Sequence, residues 1–565
     1  MTEKTTGRRI SKDSCLMVCD LLEQYGVRNV VLSPGSRNAP IIVAVERSGA
    51  FRTRIVIDER SAAFAALGMA LASDEPVAVV CTSGTALLNY APAVAEAYYR
   101  RIPLIVVSAD RPAEWIDQDD SQTIRQPGAL NNIVRATLDV SESIYAGKDG
   151  PWWLNRRLND VLSTAICGPV KGPVHINLQL GEPLVDLIPE DTPRVKGQRI
   201  DTIYAYGGSV PTKVARDFAE AGKVLIVVGF TQPATELSVL LDDLARSGCV
   251  VLKEAQSNVH CMSENVLGCV DATLRGTRRR LEADYVPELV VTMGGALLSR
   301  HVKSFLRRNA RGARFWSVGY NDHAVDCFQG LQARIEMNPC DFLRAVAQLP
   351  SKRDGEFAKA WREAARCGSS EREAEAAPWS DLSGVHMLLD GAPAGWNLQA
   401  SNGTAVRYVQ LFESYEKFAT VHCNRGVSGI DGCTSTAIGF AQTAAEPTLL
   451  LTGDMSAAYD IGALAMNDIP ASFRMAVLNN GGGGIFRFIP TTRELPELEK
   501  AFVACPRLPL RALADGYGFR YMEAKSKDEL AAVLPEFFRE STSPIILNIL
   551  TPGEQSAATL LNYFK

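Results

Sequence analysis

Two neighbouring strand ends bring together a carboxylate, an amide and a run of glycine. Gly453-Asp454 follows the apolar run Leu449-Leu450-Leu451, and Leu478-Asn479-Asn480 ends the next such run, ahead of four glycines from Gly481 to Gly484. A carboxylate and an amide oxygen at adjacent strand ends can hold a hard cation such as Mg²⁺. Glycine backbone there can approach a diphosphate closely. The plainer alternative is two ordinary turns, with Asp454 capping the helix-like segment Ser456 to Met466. A second carboxylate, Glu59, follows Ile55-Val56-Ile57 and opens a helix-like segment with apolar Ala62, Ala63, Phe64, Ala66, Leu67 and Met69. Taken alone, it reads as an acid favoured by the helix dipole. Arg37, Arg111, Arg407 and Arg425 stand in loop-like motifs, with Arg300 in a looser context. Guanidinium forks suit planar carboxylates. Only six histidines exist, at 175, 260, 301, 323, 386 and 422, and they form no zinc-ligand spacing and no Ser-His-Asp order.

The elements that must position these residues follow from the hydrophobic pattern. The first ~185 residues alternate short β-branched runs with helical patterns, the signature of a parallel α/β sheet buried on both faces. The runs are Val30 to Leu32, Ile55 to Ile57, Val77 to Cys81, Leu104 to Ser108 and Val174 to Leu178. Ligands of such sheets sit beyond the carboxyl ends of the strands. Those ends read Ser33-Pro34-Gly35-Ser36-Arg37, Asp58-Glu59-Arg60, Thr82-Ser83-Gly84-Thr85 and Ala109-Asp110-Arg111-Pro112. Gly181 to Lys213 reads as a linker. A second α/β block has strands at Val224 to Val228, Val250 to Leu252 and Leu289 to Thr292, and the charged stretch Ser351 to Ser380 reads as a second, partly helical linker. The third block has strands near Thr420 to His422, Thr448 to Leu451, Met475 to Leu478 and Ile545 to Ile549. Gly229 and Gly294-Gly295 follow strands of the middle block, but no GxGxxG fingerprint appears, so no second cofactor is expected there.

Composition bounds the answer. The chain has 565 residues, 46% hydrophobic and 22% charged, with a net charge of −5, which is globular and excludes whole-chain disorder, collagen or coiled coil. No basic balance points to nucleic acid. No apolar stretch reaches the ~18 residues of a membrane span. The polar start MTEKTTGRRISKD lacks a secretory core, and 13 scattered cysteines without a CxxC pair read as reduced thiols, so a cytoplasmic location is expected.

The pairing of Gly453-Asp454 with Asn479-Asn480 resembles the diphosphate and metal motif of thiamine diphosphate enzymes, with Met455 where glycine is usual. That resemblance implies three doubly wound parallel-sheet domains of the thiamine diphosphate-binding fold: a pyrimidine-binding domain over 1–185, a central α/β domain over 205–350 and a diphosphate-binding domain over 380–565. It implies a metal, Mg²⁺ or Mn²⁺, on Asp454, Asn480 and Gly482, with Gly453, Met455 and Ser456 beside the diphosphate. It gives Glu59 a role: sharing a proton with N1′ of the aminopyrimidine, so that the 4′ nitrogen can take the thiazolium C2 proton.

A narrower resemblance lies in Ser33 to Arg37, Asp58 to Phe64, Cys81 to Ala86, Ser108 to Pro112 and Asn424-Arg425-Gly426-Val427-Ser428-Gly429-Ile430-Asp431-Gly432. These segments are similar to the 2-succinyl-5-enolpyruvyl-6-hydroxy-3-cyclohexene-1-carboxylate synthases of menaquinone biosynthesis, well in the first and last domains and loosely in the middle. The resemblance implies decarboxylation of 2-oxoglutarate and 1,4-addition of the succinyl carbanion to isochorismate. It implies that Arg407 and Arg425 hold the 2-oxoglutarate carboxylate, that Arg37, Arg111 and Gln122 face isochorismate with Ser36 near the reacting centre, and that Arg300 joins the arginine set. Ile430 is implied as the apolar wedge that bends the cofactor. Ile485, Phe486 and Ile489 are implied as pocket lining, with plain core the alternative. Asn402 and Gly403 match a loop that touches the diphosphate, although the family often has Ser at the position of Gly403. A homodimer or homotetramer with sites at the subunit interface is implied as well. The alternatives are another thiamine diphosphate 2-oxoacid carboligase or decarboxylase, and a non-catalytic α/β ligand-binding relative. The arginine set, Met455 and the absence of a His pair from the first domain's strand ends argue against the former.

Overall fold

The computed structural model describes residues 7–204, 208–279, 282–350 and 352–564. Residues 1–6 of the polar start, 205–207 of the first expected linker and Ser351 of the second lie outside the described residues. Strand β1 (Arg8–Ile10) is followed by β2 (Asn29–Leu32), β3 (Arg52–Ile55), β4 (Val77–Cys81), β5 (Leu104–Asp110), β6 (Ala136–Ser141) and β7 (Val174–Gln179). Strand β8 (Leu187–Pro189) then pairs antiparallel with β1, so part of the stretch expected as a linker is ordered against the first block. The six strands between form one parallel sheet in the order β3-β2-β4-β5-β7-β6. Every residue of β2, β4, β5 and β7 is buried, as expected for strands covered by helices on both faces.

The edge strand departs from expectation. Ile55-Val56-Ile57 reads as a buried strand, but β3 ends at Ile55, and Ile55 and Ile57 are 45% and 82% exposed. Only Val56 of the three is buried. A β-branched run carries the same pattern at a sheet edge as in its centre.

Two further parallel sheets follow. One comprises β9 (Val224–Val228), β10 (Val250–Lys253), β11 (Val266–Leu267), β12 (Leu289–Met293), β13 (Arg314–Val318) and β14 (Leu331–Ile335), in the order β11-β10-β9-β12-β13-β14. The other comprises β15 (Asn397–Ala400), β16 (Thr420–His422), β17 (Thr448–Gly453), β18 (Arg474–Asn479), β19 (Arg520–Ala524) and β20 (Ile545–Leu550), in the order β16-β15-β17-β18-β20-β19. The fold is α/β with three parallel sheets of six strands each among the described residues. In the first sheet the order reverses between β2 and β4, and in the third between β15 and β17. Such switch points open a crevice at the strands' carboxyl ends.

The stretch 351–380 is more than a connection. It holds helices Gly355–Gly368 and Glu371–Ala376, and Phe357 and Trp361 of the first are buried in the core beside the second sheet. Its charged residues mask an amphipathic face that buries Phe357, Ala358, Ala360, Trp361 and Ala364. The helix expected over Ser456 to Met466 is instead a short helix, Asp454–Tyr459, and a 3₁₀ turn, Ile461–Ala465.

By contact density the chain divides into two compact units. One takes the described residues of Met1–Tyr204 together with Gly426–Ala445 and Tyr459–Pro470; the other takes the described residues of Ala205–Arg425, Glu446–Ala458 and Ala471–Lys565. In the first unit, helix Glu59–Ser73 packs closely on helix Cys433–Ala441. A methyl on Gly439 would overlap the Ala65 carbonyl, and one on Gly68 would overlap the Thr436 carbonyl. Glycine at both crossings lets the two backbones touch. Gly439→Ala is therefore expected to lower the unfolding free energy by about 1–3 kcal/mol through overpacking. A thermal melt checks it; an unchanged midpoint would contradict the close approach.

Candidate active site

In the second unit, Gly453 is the last residue of β17 and Asp454 opens the next helix. The Asp454 carboxylate is buried and is gripped by backbone. Its Oδ2 accepts the N–H groups of Gly482 at 2.7 Å and Gly481 at 3.0 Å, and its Oδ1 accepts that of Met455 at 2.8 Å. Burial pushes the Asp454 carboxyl up to about 6, against the pull of the Gly482 and Met455 N–H groups, and nearby Asp381 adds to the rise. Gly482 has φ +119°, and a methyl there would overlap the Val503 carbonyl, so this turn admits only glycine. Ser456 is buried and Met455 half-buried on the same turn.

Asn480 follows β18 and is buried. Its Nδ2 donates to Asp381 Oδ2 at 2.7 Å, while its Oδ1 meets no donor. Across the switch point, the Ser401 hydroxyl accepts the Gly453 N–H at 3.3 Å. Asn402 accepts from Arg425 Nη1 at 2.9 Å and donates to the Asn424 carbonyl at 2.6 Å. Gly403 has φ +93°, a conformation that favours glycine over the family's frequent serine. Ile485, Phe486 and Ile489 are half-buried on and after the 3₁₀ turn Gly484–Arg487, outside the main core clusters.

The second and third sheets bring arginines together within this unit. Contacts tie the two blocks: Ala255 N–H to Gln410 Oε1 at 2.9 Å, Val421 N–H to Asn258 Oδ1 at 2.7 Å, and Lys253 to Glu416 at 2.6 Å. Fully buried Glu254 accepts the N–H groups of Leu298 and Ser299, both at 2.7 Å, and so anchors the start of helix Arg300–Asn309. Burial pushes the Glu254 carboxyl up to about 7. The Ser299 hydroxyl caps that helix at the Val302 N–H and donates to Asp271. Burial lowers the pKa of Arg407, and the charges of Arg425 and Arg300 lower it further, with Asp271 opposing. The Arg407 side chain makes no hydrogen bond or ion pair with any described residue, and Arg425 Nε is buried without a partner. Burial also lowers the pKa of Lys303, one turn along from Arg300, with Arg425 adding to the effect. The charges of two guanidinium groups thus act on a third, Arg407, which has no ion-paired carboxylate among the described residues.

In the first unit, Glu59 is half-buried at the start of helix Glu59–Ser73, and its carboxylate accepts no hydrogen bond from any described residue. The Asp58 side chain caps the helix at the Ser61 N–H at 3.2 Å. Burial raises the Cys81 and Tyr90 pKa values, and the Glu59 charge raises both further. Gly35 lies so close to Thr82 that a side chain would overlap it, and the Thr82 hydroxyl is buried without a partner. Arg37 is buried and donates to the Leu180 carbonyl at 3.0 Å; burial, then the charge of Arg111, lowers its pKa. Arg111 pairs with Asp120 at 2.6 Å. Ser36 and Gln122 are exposed, and the Gln122 carbonyl accepts the Ser83 hydroxyl at 2.9 Å. Ile430 is half-buried. Buried Glu96 accepts the N–H groups of Gly426 and Val427 and so fixes the loop leading to it.

Comparisons with known proteins give the family of the chain. Residues 16–129 match the family described as thiamine pyrophosphate enzyme, N-terminal TPP binding domain. The chain is 41% identical to a 2-succinyl-5-enolpyruvyl-6-hydroxy-3-cyclohexene-1-carboxylate synthase of Porphyromonas gingivalis, over 98% of this chain and 97% of that one. It is 36% identical to the synthase of the same name from Flavobacterium psychrophilum, over 97% and 98% of the two chains, and 35% identical to that of Bacteroides fragilis, over 98% of each. The chain belongs to the 2-succinyl-5-enolpyruvyl-6-hydroxy-3-cyclohexene-1-carboxylate synthase family.

Family membership makes this a thiamine diphosphate enzyme, and the residues present fit that group. Glu59 offers a carboxylate without a hydrogen-bond donor beyond the edge strand β3 of one sheet, and Gly453 to Ser456 and the Gly481 to Gly484 turn follow β17 and β18 of another. A hard cation has oxygens to meet at Asp454, at Asn480 Oδ1 and at the Gly482 carbonyl, which already accepts the Gly484 N–H at 2.7 Å. No group of three His, Cys, Asp or Glu side chains is placed to hold a metal among the described residues. Sequence reading missed Lys303, Glu254 and Asp381. Lys303 had a signal, its i+3 spacing from Arg300; the other two have none near the motifs.

Crowded like charge has a measurable consequence. Arg407→Met keeps an apolar stem and removes one of the mutually repelling charges. It is expected to stabilise the ligand-free protein by about 1 kcal/mol, as relief of functional strain commonly does. A thermal melt without substrate checks it, and a clear loss of stability would contradict the repulsion.

Proposed function

We propose that the chain is a 2-succinyl-5-enolpyruvyl-6-hydroxy-3-cyclohexene-1-carboxylate synthase, which decarboxylates 2-oxoglutarate and adds the succinyl unit to isochorismate. The observation that carries this reading is the set Arg300, Arg407 and Arg425, in a chain of this family, positioned without ion-paired carboxylates. Thiamine diphosphate, when bound, supplies the nucleophilic carbon and electron sink that a 2-oxo acid needs to lose CO₂. Glu59 holds or gives up a proton at its carboxyl, opposite the aminopyrimidine N1′. Asp454, Asn480 Oδ1 and the Gly482 carbonyl hold Mg²⁺ or Mn²⁺, while Asn402, Gly403, Gly453, Met455 and Ser456 border the diphosphate. Arg407 and Arg425, helped by Arg300, orient the distal carboxylate of 2-oxoglutarate through charge-assisted hydrogen bonds. Arg37, Arg111 and Gln122 orient isochorismate, and Ser36 stands near the reacting centre. With the cofactor bound, Ile430 would serve as an apolar wedge against it, and Ile485, Phe486 and Ile489 would line the pocket and keep water out.

The proposed assembly is a homodimer or homotetramer with sites shared between subunits. Ile55, Ile57 and Tyr459 support it: they lie 45%, 82% and 54% exposed on the unit that carries Glu59, an apolar surface suited to burial by a second copy. A cytoplasmic location is supported by free thiols at all thirteen cysteines. No helix of the described residues is long and apolar enough to cross a membrane.

Incubation with thiamine diphosphate, Mg²⁺, 2-oxoglutarate and isochorismate is expected to yield the adduct, identified by mass. CO₂ release without an isochorismate-dependent product would refute the proposal. Glu59→Gln and Asp454→Ala are each expected to abolish turnover, the second through loss of metal-dependent cofactor binding. Mixed under subunit exchange, they are expected to recover about a quarter of wild-type activity, since half the dimers are hetero with one intact site of two. Tagged heterodimers without activity would refute shared sites.

A further inference from the structure

We propose that Asp381 is a positioning residue that turns Asn480 so that its amide oxygen, not its amide nitrogen, faces the metal-binding turn. The inference rests on the metal reading proposed above and adds a residue outside the motifs. Asp381 opens helix Asp381–Gly391 and is buried. Its Oδ2 accepts the Asn480 Nδ2–H at 2.7 Å, its Oδ1 accepts the Thr551 hydroxyl, and its backbone N–H donates to Ser556 Oγ at 2.9 Å. The two ends of an asparagine amide are nearly equal in size, so sterics do not choose between its orientations. Hydrogen-bond chemistry does: a carboxylate only accepts, and the amide beside it must present its NH₂. Oδ1 is then forced to the other side, where it is buried and meets no donor. A buried acceptor left unsatisfied costs free energy unless something electropositive meets it. The reversed amide would point two N–H groups toward a cation and set an oxygen against the Asp381 carboxylate. A methyl on Gly484 would crowd both ends of the Asn480 amide alike, so glycine there leaves the amide room without choosing its direction.

The test is Mn²⁺ affinity of the full-length protein with saturating thiamine diphosphate, read from the paramagnetic resonance of free Mn²⁺. Asp381→Asn offers a donor to Asn480 Oδ1 and lets the amide reverse, so affinity is expected to fall by about 10–100-fold, as loss of an outer-shell partner does. In the double variant Asp381→Asn/Asn480→Asp the new amide donates to the new carboxylate, which again presents an oxygen, so most of that loss is expected to be recovered. A purely structural role for Asp381 predicts no such rescue. Wild-type affinity in Asp381→Asn, or a folded double variant no better than the single, would overturn the inference. A wild-type protein without Mn²⁺ affinity would overturn the metal reading and this inference with it. Neutron diffraction of wild-type crystals needs no variant: amide hydrogens of Asn480 directed at Asp381 are expected, and hydrogens directed at the Asp454 turn would overturn the inference.

Discussion

Like charge held together without neutralisation is the constraint on which the second unit depends. Arg407 is largely withdrawn from water, and the charges of Arg425 and Arg300 act on it. Guanidinium groups so placed repel each other, and the charge of Asp271 opposes this at Arg407 without forming an ion pair. The surrounding structure therefore has to hold them in position. Asn402 holds Arg425, and Glu254 and Ser299 hold the start of the helix that carries Arg300. The contacts from Ala255 and Asn258 to Gln410 and Val421 fix the blocks that supply them. In the proposed function, the return for that cost is an anion that finds its partners already aligned.

The same logic governs the neighbouring turn with opposite sign. Asp454 is a buried acid satisfied mainly by backbone N–H groups, and Asn480 presents an oxygen with no donor. They follow the neighbouring strands β17 and β18 at the carboxyl end of a parallel sheet, the end at which ligands of such sheets sit. The first unit repeats the arrangement with Glu59, whose carboxylate is left without a hydrogen-bond donor, and with the unpartnered Thr82 hydroxyl. The arginine cluster, the glycine turn around a buried acid and the carboxylate without a donor are the three features on which the proposed function rests.

Much of the frame was legible because strand ends punctuate sequence. Apolar runs closed by Gly-Asp, Asn-Asn or Ser-Pro-Gly mark where a buried strand meets its ligand-side loop, and β17, β18 and β2 end there. What was not legible depends on distance along the chain. The run Ile55 to Ile57 carries no sign that it lies at an edge. The charged helix Gly355–Gly368 hides Trp361 on one face, and a composition average sees only its charge. The grouping of Gly426–Ala445 with the first unit is set by glycines at a helix crossing whose partners lie hundreds of residues away. Asp381 and Glu254 act on the site through Asn480 and the Leu298–Ser299 backbone, so neither belongs to a motif. Reading a site from local spacing singles out the candidate groups and misses the groups that hold them in place.

The claim that the arginine set receives the second carboxylate of the substrate can be tested on the unmodified protein, through its melting temperature in 2-oxoglutarate and in pyruvate at equal concentration. The two acids share the 2-oxo carboxylate and differ in the distal one. If Arg300, Arg407 and Arg425 receive that distal group, 2-oxoglutarate raises the melting temperature more than pyruvate does, by neutralising the crowded charge. The difference should shrink as added salt screens the cluster. Equal shifts from the two acids, at low salt, would contradict the account.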